Sequence, residues 1–249
     1  MTELPQGDDR KSIEAEIKRS IDLKRVTEVL LNDRPPKPVD AVFFFGRSYF
    51  DAGKKDIFQV ATDMIKEGRA KYIFIPDSEG QRVGGTIPRE ANPGKTLWTD
   101  RLVRLGVDKN QIIYCPHPIP GELGFHTRNE SDAFLRTAAN KGLNTAVVLT
   151  NPHQIVRAML GVVKTINDTG QEIDVWCMVP DTTGWNKRVM GSQGKELKPR
   201  RDHVPSEIDR IFKYQAQADL ASFDDLYAYL AKRDNRQKSQ ALHSKSNSL

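Results

Sequence analysis

The chain has 249 residues, of which 38% are hydrophobic, and its 38 Lys and Arg against 33 Asp and Glu leave a formal net charge of +5. No apolar stretch approaches the roughly 20 residues of a membrane span, and the first residues, with Glu3, Asp8 and Asp9, lack the basic start and apolar core of a signal peptide, so a cytoplasmic protein is expected. Cys115 and Cys177 stand in separate apolar segments without CxxC or metal-ligand spacing, which argues against a disulfide framework or a zinc site and for two buried thiols.

In chain order, residues 12–31 place Ile13, Ile17, Ile21 and the pair Val26/Leu30 at helical intervals, and Pro35, Pro36 and Pro38 then form a stiff spacer. Residues 1–38 thus read as an N-terminal helix with a Pro-rich spacer. Residues 40–45 read as a strand, 56–67 as an amphipathic helix, 71–75 as a strand and 95–105 as a helix ending at Gly106. A strand over 111–115, a helix over 129–140, a strand from Ala146, a helix over 152–167 and a strand over 172–179 continue the alternation. Strands separated by helices of this length imply βαβ crossovers. The expected architecture is α/β, a three-layer α/β/α Rossmann-like sandwich over residues 39–231, with a mostly parallel sheet of about five strands and a C-terminal helical segment over 205–230.

Three connections exceed what a compact domain needs, residues 76–94, 116–126 and 180–204, and all follow strand carboxyl ends, which suggests a lidded site. Beyond Ala231, Lys232, Arg233, Arg236, Lys238 and Lys245 face only Asp234, so most of the net charge lies in a Ser/Lys/Gln-rich end. Residues 232–249 are therefore expected to be a disordered basic tail. The near balance elsewhere disfavours nucleic acid as a partner.

The most informative segment runs from Ala146 to Arg157, an apolar strand that breaks at Thr150 and Asn151 and restarts as a helix at Pro152. Proline suits a first helical position because its missing N–H would be unpaired there. Thr150, Asn151, His153 and Arg157 then crowd a strand's carboxyl end and a helix N-terminus, where open α/β sheets bind ligands and orphan N–H groups favour anions. Arg157, about one turn into the helix, could reach back to clamp an anion, and His153 could act as general base, donor or cap.

Gly46, Arg47 and Ser48 follow the first strand, where a glycine lets a ligand approach and Arg47 offers a forked donor; a turn with a surface arginine is the plainer alternative. Asp77, after the second strand, could hold a ribose hydroxyl or a proton, or serve in a turn. Pro93-Gly94-Lys95-Thr96 resembles the end of a P-loop, but Arg89 stands where that pattern needs glycine, so a helix cap is the favoured reading. Thr127 and Glu130 fit a capping box, while His126 and Glu130 could instead face the crevice as proton-handling groups. No metal-ligand set is recognisable.

These motifs in this order resemble the YdcF-like family, a bacterial domain of unknown function. The likeness covers about residues 40–181. It rests on a strand ending in Gly46, Lys71-Tyr72-Ile73-Phe74-Ile75, Leu105-Gly106-Val107, Thr127-Arg128-Asn129-Glu130-Ser131, and Leu149-Thr150 leading to Arg157-Ala158. The resemblance implies a Rossmann-like fold with a site at the strand exits, and S-adenosylmethionine as a candidate cofactor because its binding is attributed to a member. Family members often carry an acidic residue where Asn129 stands, so a carboxylate role passes only to Glu130. Their histidine four residues after the threonine is Gln154 here, with His153 one position early, about 100° away on a helix.

The expected function is binding of a small anionic metabolite, a nucleotide-like cofactor or a sugar phosphate, at the carboxyl edge of the sheet. Transferase or hydrolase chemistry there would use His126, Glu130 and His153 as catalytic groups and Gly46, Arg47, Ser48, Asp77, Thr127, Thr150, Asn151 and Arg157 as ligand-binding ones. The alternative is a non-catalytic regulatory or interaction protein that uses the scaffold with its basic loop, residues 187–201, or its tail.

Overall fold

The computed structural model describes residues 7–45, 56–79, 94–117, 127–180, 184–190 and 197–246. Five parallel strands, β1 (Val39–Phe44), β2 (Ala70–Pro76), β3 (Ile112–Cys115), β4 (Thr145–Leu149) and β5 (Asp174–Met178), form one sheet in the order β3-β2-β1-β4-β5. Strand side chains alternate between faces, and the two resulting cores follow that parity. Ala41, Phe43 and Phe45 join one buried cluster with Phe74, Ala146, Val148 and Val175. Val42 and Phe44 join another with Ile73, Ile75, Val147 and Leu149. Burial on both faces explains why these strands are nearly continuous apolar runs.

Helices α2 (Ile57–Lys66) and α3 (Lys95–Arg104) cover the second face, where Phe58, Met64, Trp98 and Leu102 pack. Asp56 starts α2 by accepting the Gln59 N–H at 2.9 Å, one of the orphan donors of a helix start. Helices α4 (Thr127–Asn140) and α5 (Ile155–Thr169) cover the first face and pack side by side. Gly161 makes that approach: a Cβ there would meet Thr127 Cγ2 at 3.0 Å and Ser131 Oγ at 3.1 Å. The first turn of α4 is thereby drawn onto the middle of α5. The three-layer Rossmann-like sandwich expected from the sequence is the fold.

Helix α1 (Gly7–Leu31), expected over residues 12–31, is built into the core, with Val26 and Leu30 fully covered against the first face. Two sequence expectations change at the periphery. The expected helical segment over 205–230 is two helices, α6 (Val204–Ala216) and α7 (Phe223–Ser246). The chain breaks between them where Ala218 adopts a left-handed φ of 59° and Ser222 and Asp225 exchange hydrogen bonds at 3.0 Å to start α7.

The second change concerns where the basic tail expected from residue 232 begins: α7 (Phe223–Ser246) carries the chain past that point, and Arg233 and Arg236 are used structurally. Arg233 is only 3% exposed; it pairs with Asp33 at 2.8 Å, donates to the Val175 carbonyl at 2.8 Å and lies over Trp176. Tyr229 Oη accepts from Val175 N at 2.7 Å and donates to Ile173 O at 3.0 Å, while Asp33 accepts from Cys177 N at 3.1 Å. Side chains thus satisfy the outer hydrogen-bonding edge of β5, which would otherwise offer an unpaired template to another chain. Composition favoured disorder because it counts charges without their partners.

The long connection after β5 also holds structure. Strands β6 (Arg188–Met190) and β7 (Leu197–Pro199) pair antiparallel, and a 3₁₀ turn, Arg200–His203, leads into α6. Among the described residues no helix is long and apolar enough to cross a membrane.

Candidate functional site

Helices α2 and α3 lie on one face and α4 and α5 on the other, so strand order reverses between β1 and β4. Open α/β sheets bind ligands at the carboxyl side of this switch point. There the β4 exit places Thr150, whose N–H donates to Met178 O at 3.2 Å, followed by Asn151 and the 3₁₀ turn Pro152–Gln154 that introduces α5. The helix expected from Pro152 therefore begins as a tighter turn. Thr150 is 1% exposed, and its Oγ1 has no hydrogen-bond partner among the described residues. A buried unsatisfied hydroxyl costs on the order of 1–3 kcal/mol and calls for an explanation. Asn151 is buried beside it.

Arg157 does not stand open at this edge. Its guanidinium, 6% exposed, donates from Nε to Glu207 Oε2 at 2.6 Å and from Nη1 to the Thr127 hydroxyl, and Arg210 donates to the other Glu207 oxygen at 2.7 Å. The expectation that Arg157 clamps a ligand anion is corrected on this geometry: a buried carboxylate from α6 already neutralises it. Thr127, expected as a ligand contact or cap, likewise uses its hydroxyl to receive Arg157. Together they tie α4, α5 and α6 into one block beneath the site.

The segment after β5 covers this block. The His203 ring stacks on His153 with centroids 5.8 Å apart and bonds through Nε2 to Val189 O at 2.9 Å. Arg200 is wholly buried and donates to Gly184 O at 3.3 Å. Lys187 turns its Nζ away from solvent, with no hydrogen-bond partner among the described residues. An isolated ammonium is costly to bury unless an anion accompanies it.

The remaining predicted residues spread along the same edge. Asp77, at the β2 exit, pairs with Lys95 at 2.5 Å, which raises the lysine pKa through that hydrogen bond. Lys95 of the P-loop-like stretch thus has a carboxylate partner where a phosphate cradle would need a free cation. At the β3 exit, Asn129 Nδ2 donates to His117 Nε2 at 3.3 Å, and Glu130 is buried in the first turn of α4. Gly46, Arg47, Ser48 and His126 lie outside the described residues.

Sequence reasoning missed His117, His203 and Glu207, and it had Lys187 and Arg200 only as part of the basic loop offered to a partner. All but His117 belong to the connection after β5 and the helix that follows it, where length signalled a lid but no periodicity announced a short hairpin. Cys115 and Cys177 are the two buried free thiols expected; burial raises both pKa values, which removes them as ready nucleophiles. Among the described residues no group of three or more His, Cys, Asp or Glu is placed to hold a metal ion. Comparison of the chain with protein-family models, curated proteins and solved structures returns no match.

Proposed function

We propose that the protein binds a small anionic metabolite at the carboxyl edge of its sheet, between the exits of β1 and β4. The observation that carries this reading is the Thr150 hydroxyl, buried without a partner at the switch point and next to a helix N-terminus. A phosphate or carboxylate oxygen there would accept from Thr150 and from the orphan N–H groups that open α5. His126, Glu130 and His153 are then the groups available to move protons if transferase or hydrolase chemistry follows. Kinship with YdcF-like proteins rests on the ordered motifs alone, and the reduced, buried thiols suit a cytoplasmic setting.

S-adenosylmethionine, the cofactor the resemblance implies, fits the described residues poorly. Its carboxylate could accept from Thr150 or Lys187, but its sulfonium is cationic and Asp77, the carboxylate at the β2 exit, is already paired with Lys95. Phosphorylated ligands fit better. The test is thermal unfolding of the wild type and of Thr150→Val with phosphate, pyrophosphate, ribose 5-phosphate, glucose 6-phosphate and S-adenosylmethionine in turn. A ligand at 100 times its Kd stabilises by about 2.7 kcal/mol. The expected result is a shift with a phosphorylated compound that vanishes in the variant. No shift with any of them, or an undiminished shift in Thr150→Val, overturns the proposal.

A further inference from the structure

The chain has three tryptophans, and two of them, Trp98 and Trp176, are 0% and 3% exposed. Trp185 is 46% exposed. The turn that presents it is firmly held: Lys187 N donates to Gly184 O at 3.0 Å, Arg201 N to Trp185 O at 3.1 Å, and Arg201 Nη1 to Asn186 Oδ1 at 2.8 Å. Arg200, the next anchor, donates its N–H to Lys187 O at 2.9 Å. These bonds fix the turn to the 3₁₀ segment whose His203 stacks on His153, so the turn is tied to the β4 exit. A hydrogen-bonded turn therefore displays an exposed indole, and two residues later the same turn carries an ammonium with no hydrogen-bond partner among the described residues.

We propose that Gly184-Trp185-Asn186-Lys187 is a binding element for a nucleoside phosphate, with the base stacked on the Trp185 indole and the phosphate met by Lys187. This rests on reading the β4 exit as an anion site and adds the class of ligand, one that joins a planar ring to its anion. Two Cα steps span at most about 7 Å, and the lysine stem has four rotatable bonds, so Lys187 can swing its buried Nζ out to the phosphate of a mononucleotide stacked on Trp185. Stacking on an aromatic tolerates any base because every base has a π face. Unlike Arg157, Lys187 has no carboxylate partner among the described residues.

The test titrates the full chain with each of the four common ribonucleoside 5′-monophosphates and with ribose 5-phosphate, following tryptophan emission and thermal unfolding. With Trp98 and Trp176 buried, a change in emission on stacking reports Trp185. At least one mononucleotide should bind about tenfold or more tighter than ribose 5-phosphate. Trp185→Ala should erase that difference, Trp185→Phe should keep most of it, and Lys187→Met should weaken mononucleotide and sugar phosphate alike.

Equal affinities for mononucleotides and ribose 5-phosphate, with unchanged emission, overturn this inference. If Thr150→Val still abolishes ribose 5-phosphate binding in that case, the anion site itself stands. Failure of every mononucleotide to bind also overturns the inference, and an undiminished preference in Trp185→Ala does the same.

Discussion

The two edges of the central sheet differ in how completely their polar groups are paired. At the amino edge, Asp40 accepts from Lys71 at 2.8 Å, from the backbone of Asn144 at 3.1 Å and of Thr145 at 3.2 Å, and from the Thr145 hydroxyl at 2.8 Å. Asp174, beginning β5, receives Arg236 at 3.0 Å and Gln237 at 2.7 Å. At the carboxyl edge, the Thr150 hydroxyl and the Lys187 ammonium are buried with no hydrogen-bond partner among the described residues. Saturated polar groups hold strands in register and stabilise the fold; unsatisfied ones reduce its stability and make sense where a ligand completes them.

Arg157 lies near the carboxyl edge but behaves like the amino edge, and it gives the largest effect. Removing it strips the buried Glu207 of one of its two arginine partners and the Thr127 hydroxyl of its donor, so Arg157→Ala should destabilise the fold by about 3 kcal/mol, measured by urea unfolding. The double variant Arg157→Met with Glu207→Leu should recover most of that loss, since a buried pair can be exchanged for apolar packing. A single-variant cost below about 1 kcal/mol would return Arg157 to the ligand-binding set.

Asp40 tests the saturated edge by pH. Burial alone would raise its carboxyl, but Lys71, Thr145 and Asn144 outweigh that and hold it below the ordinary value. A carboxylate with a lowered folded pKa stabilises above its unfolded pKa of about 3.9 and loses that contribution as pH falls through the lower folded value. Asp40→Asn should therefore cost about 2 kcal/mol at pH 7 by the strength of charged hydrogen bonds. The gap from wild type should stay constant to about pH 5 and then close in acid. A gap that persists unchanged to pH 2 would mean that packing, not charge, is what the substitution removes.

Alternation of apolar runs and amphipathic helices made the sandwich legible, because parity along β1 and β4 alone dictates two covered faces. The position of Thr150 was legible for the same reason, since strand exits follow from strand ends. The partners of Arg157 were not: Glu207 is fifty residues away, and an arginine at a helix start reads alike whether a ligand or a carboxylate neutralises it. The start of the basic tail misled in the other direction. Arg233 and Arg236 looked like solubilising charges until Asp33 and Asp174, far upstream, were seen to receive them.

Thr150→Val gives the smallest effect, and its sign separates the two edges. At a saturated position, removing a hydroxyl strands its partner and destabilises. Here no described group loses a hydrogen bond, and a near-isosteric methyl replaces a buried group whose desolvation was uncompensated. The free protein should therefore become more stable by about 1 kcal/mol, read as a higher urea midpoint with an unchanged slope, while its response to phosphorylated ligands disappears. A gain in stability with loss of binding is the pattern of a group held for function. A destabilised variant would mean that Thr150 has a structural partner after all, and would move it to the same class as Asp40.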